Sequence, residues 1–298
     1  MAFGYALVDV NGTSRAFDGS LGVSVRRGAR GLGFPKVTPA GDKLPYAPGV
    51  ALRRLSTSAG LLELPLKLER STAALLDTLM DDVRGWVGPR TERSATPETV
   101  WLRVTRADGA VREIEGVYAG GLDGDDSAGI STWQLAMLNL YCPEAYWRDV
   151  TATVVTFTSG TGVSTWFPYW PYDLTPSAIF SEETITNTGQ IETWPVWTIT
   201  GPGSNPTVTN LTTGETLVLS GLTLAAGDVV TIDTSERGST AKTILDQNGV
   251  NLWPYATTAS ALWPLEVGAN EILVELDGAT GASAVELSYR RRWAGGHR

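Results

Sequence analysis

Only one stretch of this chain repeats its apolar residues at helical spacing. Between Ser71 and Gly88 the residues Leu75, Leu76, Leu79, Met80, Val83, Trp86 and Val87 recur every three or four positions, the period that gathers them on one face of a helix. Ser71 is placed as its N-cap, and Gly88-Pro89 stops it. Everywhere else apolar residues come in short alternating runs between Gly, Pro, Asn and Asp turn signals, which is strand grammar. A chain with one helix and many short strands must bury β-faces, so the fold class is mainly β, with the single helix laid on an antiparallel sheet.

The runs fall into two groups. In the first half, Phe3 to Val10 ends at Asn11-Gly12, a second short strand covers Leu21 to Val25, and Ala51 to Thr57 with Leu61 to Leu68 flank Ser58-Ala59-Gly60 as a hairpin. The second of these puts Leu62, Leu64, Leu66 and Leu68 on one face. After the helix, Val100 to Thr105 and Val111 to Tyr118 pair across Ala107-Asp108-Gly109, and Ile130 to Tyr141 closes an antiparallel sheet or split barrel. Residues 26–49 hold Gly28, Gly31, Gly33, Pro35, Pro39, Gly41, Pro45, Pro48 and Gly49 and are expected to form a long loop. Beyond the polar, proline-led PEAYWRD segment at 143–149, nine short runs from Thr153 to Arg291 carry turn signals at the spacing of a sandwich. This gives an N-terminal domain over 1–142, with its loop at 26–49 and helix at 71–87, a junction at 143–149 and a β-sandwich over 150–298.

Charge divides at the same place. Residues 1–148 carry 17 basic and 17 acidic side chains, so the whole net charge of −9 lies in the second half. Phosphate contacts need a cationic surface, which disfavours specific nucleic-acid binding. Cys142 is the only cysteine, so no intrachain disulfide forms. No window supplies the eighteen or so apolar residues of a membrane span, and the first 25 residues lack a leader pattern; insertion into a membrane is not expected, and cytoplasmic folding is.

Catalytic templates find little to use. The one histidine, His297, is penultimate, so triads have no base. Ile232-Asp233-Thr234-Ser235 approaches an aspartic protease phrase, but Ser replaces Gly and no second copy exists to share a proton, leaving a strand end as the better reading. Asp123, Asp125 and Asp126 lack the closing Glu of a calcium loop, Gly28, Gly31 and Gly33 do not open a helix, and Glu182-Glu183 point to opposite faces of a strand. No enzyme activity, cofactor or metal is expected. Arg26, Arg27, Arg30 and Phe34 in the long loop are candidates for an oligomer interface. In the aromatic stretch 166–172, Trp166, Tyr169, Trp170 and Tyr172 are candidates for contact with protein or sugar. A reading as a carbohydrate- or receptor-binding module would rest on them.

The second half also carries a resemblance. NTGQIETWPVWTITGP from Asn187, NLTTGE from Asn210, GDVVTIDT from Gly227, LWPLEVGAN from Leu262 and ELSYRRRW from Glu286 occur in one order. Together they resemble the distal tail proteins of siphovirus-type phages, also known as phage tail or minor tail proteins, part of the tail-tip baseplate. The first half matches in layout. The resemblance implies a galectin-like sandwich projecting from a ring, typically of six copies, that N-terminal domains build at the tip of the tail. It implies a structural role in the virion after assembly in the host cytoplasm. The partners it implies are copies of the chain, the tail tube protein, a tail-associated hub protein and the tape measure protein. In such a ring Asp77, Asp81 and Asp82 are candidates for the lumen, where like charge keeps DNA from adhering.

Overall fold

A computed structural model describes residues 4–43, 50–88, 98–123, 132–158, 178–235 and 242–296. The chain divides into two compact units, one of residues up to Val150 together with the segment from Trp293 onward, the other Thr151–Arg292. The return of the last residues to the first unit is absent from the sequence division at 142 and 150, because no local pattern marks it.

The first unit contains β1 (Gly4–Val8), β2 (Ser14–Ala16), β3 (Val23–Val25), β4 (Val37–Lys43), β5 (Val50–Thr57), β6 (Gly60–Glu69), α1 (Ala73–Val87), β7 (Val100–Thr105), β8 (Val111–Gly121), β9 (Trp133–Cys142) and β10 (Trp147–Asp149). The main sheet runs β2-β1-β7-β8-β9-β6-β3, with β10 beside β8 and every pairing antiparallel. The turn at Asn11-Gly12 is held by Asp9, whose Oδ1 accepts the N–H of Asn11 at 2.9 Å and of Thr13 at 2.8 Å. Gly121, at φ 85°, lies so close to β9 that a Cβ there would stand 1.9 Å from the Met137 carbonyl oxygen, so only glycine fits.

Leu62, Leu64, Leu66 and Leu68 are each at most 1% exposed and form the floor of the core. Leu76, Leu79, Met80, Val83 and Val87 of α1 cover it, with Leu102, Val104, Leu138 and Leu140 from the neighbouring strands. The helix starts one residue later than a Ser71 cap implies. Thr72 is the N-cap, its Oγ1 accepting from the Leu75 N–H at 3.3 Å, and Gly88 donates its N–H to Arg84 O to close the other end.

Two expectations fail around the long loop. Val37–Lys43 is a strand, and it pairs with β5, so 51–57 and 61–68 do not make a hairpin. β6 instead takes β3 and β9 as neighbours. Pro39 and Gly41 are tolerated because β4 and β5 form a separate two-stranded ribbon, in which each strand has one free edge.

The PEAYWRD segment is part of the first unit, since Trp147 is 1% exposed and Arg148 and Asp149 pair with Glu113 and Arg112 of β8. Glu113 is buried between two guanidiniums, Arg103 Nε at 3.1 Å and Arg148 Nε at 3.0 Å, the pairing a buried charge requires. The returning residues close over this place: Arg112 donates to Gly295 O at 2.6 Å and stacks 3.9 Å from the Trp293 ring, whose Nε1 donates to Asp149 at 2.8 Å.

The second unit is a sandwich of β11 (Thr153–Thr158), β12 (Ala178–Asn187), β13 (Val196–Thr200), β14 (Gly203–Asn210), β15 (Glu215–Val218), β16 (Thr223–Leu224), β17 (Val229–Asp233), β18 (Thr243–Asp246), β19 (Gly268–Asp277) and β20 (Ala284–Tyr289). One sheet runs β11-β20-β13-β17-β18 and the other β12-β19-β14-β15, with β16 on β14. Alternate residues of both sheets meet in one core around Trp197, which packs edge-on against Trp263 at 5.7 Å and tilted against Phe157 at 6.3 Å.

Candidate assembly interface

Long alternating strands place their odd and even residues on opposite faces, and β9 is apolar on both. Its inner residues Leu138, Leu140 and Cys142 are buried, while Trp133, Leu135, Met137 and Tyr141 point the other way and are 50%, 57%, 42% and 50% exposed. Beside them on β6 the outward positions are Leu61, Glu63, Pro65, Lys67 and Glu69. An apolar stripe with a polar rim on an outer sheet face is the composition of a contact surface.

The predicted interface arginines adjoin this stripe. Arg26 and Arg27 line a groove of about 560 Å³ with Pro65, Leu135 and Met137. Arg30 reaches solvent and pairs with Glu63 at 3.7 Å, its backbone bridging to the same residue. Phe34 is 71% exposed. The ribbon follows directly, with Val50, Leu52 and Leu55 each 61% exposed. Sequence reading singled out the arginines and Phe34 as candidates and did not single out the stripe or the ribbon. The signal for the stripe was present, since a strand apolar at every position from Leu135 to Leu138 needs cover on both sides.

Asp77, Asp81 and Asp82 are exposed on α1, away from its buried face, and Asp81 pairs with Arg84 at 3.2 Å. Asp82 lines a separate groove with Glu69, Arg70 and Leu75. Trp166, Tyr169, Trp170 and Tyr172 lie outside the described residues, as do Asp125, Asp126 and His297. Asp233 ends β17 and accepts the Ser235 N–H at 2.9 Å, while Thr234 donates its hydroxyl to Pro195 O. These contacts make that phrase a strand terminus. Burial, with the charge of Glu115 added, pushes the Cys142 thiol up to about 12, which keeps it protonated and unreactive. Among the described residues no cluster of His, Cys, Asp or Glu is arranged to hold a metal, and no helix is long and apolar enough to cross a membrane.

The phrases behind the family resemblance have structural work in the sandwich. Asn187, Asn210 and Asn270 each open or close one of them and are at most 1% exposed. Asn187 donates to Ile191 O and Leu265 O; Asn210 accepts the N–H groups of Thr212 and Thr213 and donates to Asn270 at 3.3 Å. Asn270 in turn donates to Glu266 O at 2.9 Å and accepts the Glu266 N–H at 2.9 Å. Buried amides that satisfy neighbouring turns fix the loops they sit in.

Comparison with known proteins finds both a partial family match and this fold elsewhere. Residues 188–293 match the family model of the siphovirus-type tail component, C-terminal domain, of the SPP1 distal tail type. The fold matches the crystal structure of the distal tail protein of phage SPP1, described as a paradigm of the hub adsorption apparatus in phages infecting Gram-positive hosts. The TM-score is 0.65 at 13% identity, over 97% of this chain and 99% of that one. It also matches a chain of the phage P2 baseplate in its activated conformation with calcium, at a TM-score of 0.53 and 13% identity over 98% of both chains. No curated protein matches in sequence.

Proposed function

We propose that this chain is a structural, non-enzymatic distal tail protein whose N-terminal units associate as a ring, expected to hold six copies, at the tip of a siphovirus-type tail. The ring joins the tail tube protein to a tail-associated hub protein, with the tape measure protein passing to its axis, and DNA leaves through its opening. The observation that carries this reading is the contrast on β9, where Leu138, Leu140 and Cys142 are buried while Trp133, Leu135, Met137 and Tyr141 on the other face stay exposed around a half-buried Asn139. Such a face is stable in water when another protein surface covers it. The family match over 188–293 supports the tail as the setting.

A closed ring uses heterologous contacts, one patch meeting a different patch on the next copy. The Arg26–Phe34 segment, the ribbon and the outer face of β9 supply different patches. The acidic face of α1, with Asp77, Asp81 and Asp82, is assigned to the channel side, where it repels the DNA backbone. Native mass spectrometry of the full chain tests the ring: a species of six chains is expected. Charge reversal at all three aspartates should keep that mass and slow DNA ejection from assembled particles. A chain that stays monomeric at about 100 µM contradicts self-assembly, and unchanged ejection contradicts the channel assignment.

A further inference from the structure

The loop that carries Arg26, Arg27, Arg30 and Phe34 contains no helix or strand and is held by what lies beside it. Arg26 donates its N–H to Pro65 O at 2.8 Å, and Arg30 and Glu63 exchange backbone hydrogen bonds of 2.9 and 3.1 Å, so β6 fixes the first half of the loop. The second half is fixed from elsewhere. Leu32 is 4% exposed, and its carbonyl accepts the N–H of Gly296 at 2.9 Å, from a residue that follows the whole of the sandwich in the chain. Gly296 lies so close to Trp147 that a Cβ there would stand 2.9 Å from the indole ring, a contact that glycine allows. Ala294, Gly295 and Gly296 are all buried, with Gly295 O bonded by Arg112 and the Trp293 indole N–H by Asp149. Residues 293–296 therefore cover Trp147 and anchor Leu32 together.

We infer that residues 293–296 are a latch: they close the first unit over Trp147 and set the Arg26–Phe34 loop, so that this loop is presented only by a chain whose sandwich has already been synthesised. The use of the loop in assembly rests on the ring reading; the latch itself does not. A chain made as far as Val150 holds β1 to β10 and α1, yet it lacks the groups that cover Trp147 and bond the Leu32 carbonyl. Domains ordinarily fold as units in the order of their synthesis. Here the first unit waits for residues that come after the second. An uncovered indole and a carbonyl without its donor each cost free energy, and the cost falls on the loop, where Gly28, Gly31 and Gly33 open many other conformations. For an assembly of many copies the consequence is timing. Unfinished chains keep the loop loose and join a ring weakly, because ordering a loop at the moment of contact consumes part of the binding free energy.

Hydrogen-exchange mass spectrometry of the full chain and two variants tests this. In a chain ending at Arg292, peptides covering 26–34 and 60–66 should exchange about tenfold faster, the factor expected when one or two hydrogen bonds of local stability are lost. The strands β12 to β14 should exchange as in the wild type. Gly296→Val in the full chain should reproduce the effect by lifting the segment off the Trp147 ring. Native mass spectrometry should show both variants mainly as single chains at a concentration where the wild type assembles. Unchanged exchange at 26–34 in the shortened chain overturns the latch; should that chain lose protection throughout the first unit, unchanged exchange in Gly296→Val overturns it instead. Faster exchange with assembly equal to wild type keeps the latch and removes the loop from the contact between copies. A wild type that never assembles contradicts the ring reading and leaves the exchange result to judge the latch.

Discussion

In the sandwich, Trp197, Trp263 and Phe157 are each 1% exposed, and the exposed apolar side chains sit singly on β11 and β12 and at Leu211 and Val267, or in the turn around 250–255. The first unit has an equally well buried floor of leucines, yet the reverse side of the same sheet carries a row of four large apolar residues in the open. One unit has completed its core with its own residues, and the other keeps large apolar side chains exposed on the reverse of its sheet. The difference separates two uses of a β-sheet: a sandwich whose inner faces satisfy each other, and a sheet with a helix on one side and exposed apolar side chains on the other.

Breaking the sandwich core should give the largest effect on stability. Trp197→Ala removes a fully buried ring packed between Trp263 and Phe157, at a cost of about 3–5 kcal/mol. Hydrogen-exchange mass spectrometry should show lost protection across 178–292, with 60–69 and 133–142 unchanged. Spreading of the loss into β6 and β9 would show that the units do not stand apart energetically.

A smaller effect is expected from Asp9, which holds the first hairpin of the other unit. Burial raises its pKa, but the donors around it, the Thr13 N–H, the Arg15 side chain at 3.1 Å and the Asn11 N–H, outweigh that and hold the carboxyl below its ordinary value. A depressed folded-state pKa stabilises fully above the unfolded value of about 3.9 and is lost as pH falls through the folded value. Asp9→Asn should therefore cost about 1–3 kcal/mol at pH 7, shrinking toward zero at the acid end. Urea titrations of both proteins from pH 7 down to pH 2 measure this; a constant gap over that range would assign the loss to geometry and not to charge.

Much of this division is visible in the sequence. The nine runs of the second half all become strands, because each alternates under turn signals that the sandwich obeys, and the two added strands, Thr223–Leu224 and Arg292–Trp293, are too short to carry a period. The helix and the four leucines of β6 are equally plain. Pairing is harder to read than periodicity: β5 stands next to β6 in sequence but joins β4, since a turn signal says where the chain may reverse and not which strand it will meet. The candidate contact surface was read from the sequence only in part. Arg26, Arg27, Arg30 and Phe34 stood out in a loop, whereas Trp133, Leu135, Met137 and Tyr141 looked like ordinary core, because apolarity alone does not reveal which side of a sheet has been left uncovered.

Electron cryomicroscopy of intact phage particles carrying this chain measures its place most directly. The account predicts a ring of copies at the far end of the tail tube, with the outer face of β9 covered by the neighbouring copy. Density for the chain elsewhere on the particle, or a ring in which that face lies open to solvent, would contradict it.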